Sequence, residues 1–162
     1  MKVTKMYHLH CKNALHWKVG GSHFLACQHP NGQWGNYYYQ PKWTSTHYTL
    51  LDLHNLEVSP STAVCREMVS RLFTDCMDTD GSLNPSKSKI PSDLCIDGMV
   101  LNYSSYFCPE DERNCKLADY VLLQQKADGG FTWSLDSNNG DSHTTLSVLD
   151  GCSLRYPQYS AR

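Results

Sequence analysis

SRLFTDCMDTDGSLN, residues 70–84, reads as an amphipathic helix that ends at a polar residue and runs into an Asp-Gly turn with Leu83 after it. Two other stretches share that layout: SHFLACQHPNGQWG at 22–35 and ADYVLLQQKADGGFTW at 118–133. Their turn glycines are Gly32, Gly81 and Gly129, spaced 49 and 48 residues apart. Self-similarity at such a period is the mark of a repeat architecture.

Working outward, each turn leads through an irregular loop to a second helical stretch: 45–56, 92–107 and 141–154. Counted from the glycine, His47 lies 15 residues on, and Cys95 and His143 each lie 14 on, so three repeats place a metal-type or acid-base side chain at one register. Pro60 and Pro109 sit in the short loops that join one repeat to the next, near helix starts. Strand signals are weak, and Tyr37-Tyr38-Tyr39 falls in a loop. The expected fold is all-α: three αα-hairpins (approximately 10–57, 58–107 and 108–156) stacked with curvature in one domain, 1–162.

Composition narrows the function. The 162 residues suffice for one domain with a core. Lysine and arginine number 14 against 16 acidic residues, a net charge of −2, with no basic stripe for nucleic acid. No apolar run is long enough to span a membrane, and the first residues lack the apolar centre of a signal peptide. A cytoplasmic protein is expected. The eight cysteines contain no C-x-x-C pair and read mostly as reduced core residues.

The chemistry centres on Pro91–Phe107, PSDLCIDGMVLNYSSYF. Pro91 favours an extended residue before the helix, Ser92 or Asp93 is a natural N-cap, and Cys95 falls in the first turn. A cap carboxylate and a first-turn thiol form an anion-stabilising corner in which a thiolate is easier to make. One oxygen, one sulfur and one nitrogen from Asp93, Cys95 and His143 suit Zn²⁺ with an open fourth position. The same residues also read as a capping aspartate, a buried cysteine and a polar cap histidine. Asp75, Asp78 and Asp80 read as capping and turn residues, since no glutamate follows to complete a calcium loop.

QHPNGQWG at 28–35 resembles the glutamine-tryptophan motif of terpene cyclases, and QQKADGGF at 124–131 is a looser copy. That repeat builds the α/α toroids of squalene and oxidosqualene cyclases and of protein prenyltransferase β subunits. Asp93-Leu94-Cys95, with His143-Thr144 one repeat later, is similar to the Asp-x-Cys and His zinc ligands of the prenyltransferases. His47 and the Tyr48-Thr49 after it resemble the histidine that contacts the isoprenoid diphosphate. The resemblance implies Zn²⁺ on Asp93, Cys95 and His143, its open position taking a substrate thiol. It also implies diphosphate contacts from His47, Lys87 and Lys89, although Ile90 stands at one of the family's two cationic positions. Tyr48 and Tyr103 would face an apolar cavity. The implied function is a zinc-dependent prenyltransferase or terpene-cyclase-like enzyme acting on an isoprenoid-like or thiol substrate. The alternative is a non-catalytic α/α-repeat binding or scaffold module. Three hairpins make half a toroid, so a dimer or a partner subunit completing it is expected.

Overall fold

Apolar spacing places the helices of the computed structural model, which describes residues 20–87, 92–134 and 136–155. They are α1 (20–26), α2 (Thr46–Asn55), α3 (Ala63–Cys76), α4 (Leu94–Phe107), α5 (Arg113–Leu123) and α6 (Ser142–Arg155). The class is all-α, and among the described residues the only pairing of extended backbone is an isolated bridge between Met77 and Leu83. In α3 the buried residues Cys65, Met68, Val69, Leu72, Phe73 and Cys76 follow the spacing of a single helical face. α4 differs: Leu94 through Gly98, Val100, Leu101, Tyr103 to Ser105 and Phe107 are all buried, so it is enclosed on every side. Each fully buried leucine of this core contributes about 1.5–3 kcal/mol.

The helices pair as hairpins. At one end of α1, Gly20 lies against Leu56 just past α2, and at the other Trp34 Nε1 donates to the Phe24 carbonyl at 2.7 Å. α3 runs against α4, with the Arg66 guanidinium on the Phe107 carbonyl at 2.5 Å. Asn114 near the start of α5 meets the end of α4, accepting from Ser104 Oγ at 2.6 Å and donating to the Cys108 carbonyl at 2.8 Å. The second helices share one direction. Along α2 and α4, His47 meets Tyr103 and His54 meets Tyr106; along α4 and α6, Cys95 meets Ser147 and Gly98 meets Gly151. A Cβ on Gly151 would stand 2.5 Å from the Gly98 carbonyl, so α4 and α6 touch backbone to backbone only because both residues are glycine.

The three glycine turns share their backbone conformation and hydrogen bonds. Gly32, Gly81 and Gly129 have φ of 85°, 94° and 83°, where other residues are strained. Their N–H groups donate to the carbonyls of His29, Asp78 and Lys126. The residue one place before each glycine, Asn31, Asp80 or Asp128, accepts the N–H of the residue one place after it, at 3.0 Å in all three. In the first and third turns a glutamine four residues ahead seals the loop: Gln28 donates to the Gly32 carbonyl at 2.9 Å and Gln125 to that of Gly129 at 2.8 Å.

Each turn is then tied to its second helix. Thr46 Oγ1 accepts the Trp34 N–H at 3.0 Å and lies 3.2 Å from its carbonyl oxygen, its hydroxyl donating to Gln33 Oε1 at 2.5 Å; Thr145 Oγ1 accepts the Phe131 N–H at 2.9 Å and donates to its carbonyl at 3.2 Å. In the middle hairpin Asp97 takes this position, hydrogen-bonded to the Leu83 backbone and to the Ser92 hydroxyl. These anchors correct the register read by counting from the glycines. Cys95 and His143 stand two residues before their anchors, whereas His47 stands one after Thr46, because the first connecting loop is two residues shorter.

Candidate functional site at the start of the second helices

Asp93 caps α4 as its sequence suggested: the backbone is extended and Oδ1 accepts the Cys95 N–H at 2.9 Å. The Cys95 thiol faces α6, 3.5 Å from Ser147 Oγ, which in turn donates to the His143 carbonyl at 3.1 Å. The starts of α4 and α6 are therefore neighbours, and Ser147 stands between the two expected ligands Cys95 and His143. His143 itself is exposed at the first turn of α6. Among the described residues no three histidine, cysteine, aspartate or glutamate side chains gather in a way that could hold a metal ion.

The thiol does not behave as the helix N-terminus alone suggested. Burial pushes the Cys95 thiol up from its usual 9.0, the Asp93 and Asp141 charges add to this, and the Ser147 hydrogen bond opposes it only in part.

His47 lies wholly in the core. Burial lowers its imidazole to about 3, Nδ1 is 3.3 Å from the Tyr103 hydroxyl, and Nε2 has no hydrogen-bond partner among the described residues. Tyr103 is equally buried, and its hydroxyl is held protonated by desolvation. Tyr48 is half-buried; its hydroxyl lies 3.0 Å from that of Tyr39, and its ring packs edge-on against His47 and tilted against Trp43. Lys87 is exposed, with Nζ 4.1 Å above the Tyr37 ring. Lys89 lies outside the described residues. His47, Tyr48 and Tyr103 are thus brought together as packing, and Lys87 attaches to the neighbouring tyrosine. Tyr38 joins the same layer through the 2.7 Å bond from its hydroxyl to Asp75, which leaves Asp75 an anchor of the first hairpin.

Four of the cysteines, 65, 76, 95 and 108, are buried, whereas Cys27 is exposed. Asp97 and Ser147 were not singled out from the sequence, yet Asp97 is the most deeply placed carboxyl. Burial holds it well above its usual 3.8 despite the Ser92 hydroxyl. Its signal was available: it follows Gly81 by the same 16 residues that separate Gly129 from Thr145. A depression of about 360 Å³ opens on the third hairpin, floored by Leu146 and Leu149 and rimmed by Asp128 and Asp141. Leu146 and Leu149 are its large apolar lining. Among the described residues no helix is long and apolar enough to cross a membrane. No protein-family model matches the chain, and neither a curated protein nor a solved structure matches it.

Proposed function

We propose that the chain is an α/α-repeat binding or scaffold module, working in the cytoplasm, that performs no chemistry of its own. One observation carries this reading: two of the groups equipped for chemistry, His47 and Cys95, are engaged in packing. The His47 imidazole is kept neutral without exposure, and the Cys95 thiol is buried against Ser147 with its proton held. A general acid or base needs a protonation equilibrium near the working pH and reach to a substrate, and His47 has neither. The exposed large apolar residues are concentrated instead on the third hairpin: Leu122, Leu123, Trp133, Leu146, Leu149 and Leu154.

A second reading, a zinc-dependent prenyltransferase-like enzyme, keeps one observation in its favour. Asp93, Cys95 and His143 belong to adjoining helix starts linked through Ser147. Metal analysis of the purified protein and of Cys95→Ala separates the two. Substoichiometric zinc, equal in both, supports the binding module. One zinc per chain, lost in Cys95→Ala, overturns it and establishes a metal centre.

A further inference from the structure

Two Asn-Gly steps occur in the chain, Asn31-Gly32 in the first turn and Asn139-Gly140 in the loop before α6. In such a step the glycine nitrogen can attack the side-chain amide of the asparagine and close a five-membered ring, because glycine has no Cβ to block the approach. The fold demands glycine at 140: a Cβ there would stand 2.5 Å from the Gly130 Cα, and one on Gly130 would stand 2.9 Å from the Gly140 Cα. An amide N–H gives up its proton reluctantly, so the group that holds this N–H governs the rate.

At Gly140 that group is a carboxylate. The N–H donates to Asp128 Oδ2 at 2.9 Å, while Asp128 Oδ1 accepts the Gly130 N–H at 3.0 Å. These bonds keep the Asp128 carboxyl below its ordinary 3.8, so it is ionised at neutral pH. At the other end of the same peptide group the Ser137 hydroxyl donates to the Asn139 carbonyl at 2.8 Å. A proton acceptor at the nitrogen and a donor at the oxygen are what a developing amidate needs, since its charge gathers on the oxygen. The Asn139 side chain is exposed and makes no hydrogen bond among the described residues, so its Cγ is free to turn towards the nitrogen. The first turn is built otherwise. The Gly32 N–H donates to the His29 carbonyl at 2.8 Å, a neutral acceptor that cannot take the proton, and Asn31 Oδ1 is engaged by the Gln33 N–H at 3.0 Å. Arg71 holds the Asn31 carbonyl at 2.9 Å, so a donor on the oxygen is common to both sites, and the carboxylate and the untethered amide are what set Asn139 apart.

We propose that Asn139 is a site of self-modification, at which Gly140 N displaces the side-chain amide nitrogen with Asp128 as the base. Asp128 Oδ2 draws the proton from Gly140 N as that nitrogen bonds to Asn139 Cγ. The bond from Cγ to Nδ2 then breaks, and the nitrogen leaves as ammonia with the proton that Asp128 took. Water opens the resulting succinimide at either of its carbonyls and leaves aspartate or isoaspartate at position 139; nothing is oxidised or reduced. Ser137 steadies the charge on the amidate oxygen. The product adds a carboxylate two residues before Asp141, beside the depression that Asp128 and Asp141 rim. The chemistry needs only water, and it is independent of whether the chain is a binding module.

The test is incubation of the full chain at neutral pH, with aspartate and isoaspartate at positions 31 and 139 followed over days by peptide mass spectrometry. Asn139 is expected to convert about tenfold faster than Asn31, a modest gain for a general base because a carboxylate is a weak one. It is also expected to convert faster in the folded chain than in urea, where both sites lose their surroundings. Asp128→Asn keeps one acceptor oxygen but cannot take a proton, and should lower the Asn139 rate at least about fivefold, to the urea value or below. The outcome stays decisive if that variant loosens the loop, since loosening brings the rate down to the urea value. An Asn139 rate no faster than that of Asn31, or one that Asp128→Asn leaves unchanged, overturns the proposal. A rate that Asp128→Asn raises also overturns it, by making Asp128 the guard of the Gly140 N–H and not its base.

Discussion

His47 and Asp97 are both wholly buried, and they pull the stability of the protein in opposite directions as pH changes. The folded imidazole titrates at about 3 against an ordinary 6.5. Its contribution is fully present above 6.5 and is lost as pH falls towards 3, at about 1.4 kcal/mol per pH unit and about 5 kcal/mol in all. The folded Asp97 carboxyl titrates well above its ordinary 3.8. Its contribution is fully present below 3.8 and is lost as pH rises, at the same rate of about 1.4 kcal/mol per unit while the folded carboxyl keeps its proton. Between 3.8 and 6.5 the two slopes oppose each other for as long as the folded carboxyl keeps its proton, so the wild-type contribution of this pair is flattened there. Asp97→Thr removes one arm and installs the residue that the first and third hairpins use at this anchor, Thr46 and Thr145. In that variant stability rises with pH across the window. His47→Gln removes the other arm, and stability falls with pH. Urea midpoints measured across the window read this directly: the difference in slope between each variant and wild type is roughly 0.5–1 M per pH unit. If Asp97→Thr leaves the wild-type slope unchanged, the carboxyl is not held protonated in the core and the reasoning fails.

Three further outcomes follow from particular contacts. Gly98→Ala places a methyl 2.7 Å from the Ser147 carbonyl and the Val148 nitrogen, and is expected to destabilise by about 3 kcal/mol or more, read as a shift in the denaturant midpoint. Gly81→Ala and Gly129→Ala share the cost of a positive φ, about 1–2 kcal/mol, but among the described residues only Gly81→Ala drives a methyl towards a neighbour, the Lys116 carbonyl; it should cost at least about 1 kcal/mol more, and equal losses would refute this difference between the two turns. Among the described cysteines, exposed Cys27 should react first with iodoacetamide and buried Cys95 at least about tenfold more slowly, followed by peptide mass spectrometry; Ser147→Ala removes the hydrogen bond that favours the thiolate, leaving only the Lys42 charge on that side, and should slow Cys95 further.

The local rules were legible in the chain itself. An amphipathic stretch ending in Asn-Gly or Asp-Gly dictates a helix stop with positive φ, because no other pair reverses the backbone so cheaply, and three such stretches at a common spacing announced three hairpins. The cap at Asp93 was likewise local, a short carboxylate one turn from the N–H it satisfies. What the chain alone could not decide was which residues face each other. Counting from the glycines aligned His47 with Cys95 and His143, but the hydrogen bonds of Thr46, Asp97 and Thr145 set the true register, and a loop two residues shorter turns His47 into the core. The state of the Cys95 thiol was also tertiary, since burial in the folded protein is the largest influence raising it. Periodicity and turn chemistry act over a few residues and can be read in sequence order. Burial and facing depend on how separate helices meet, and here a backbone contact at Gly98 and Gly151 settles that.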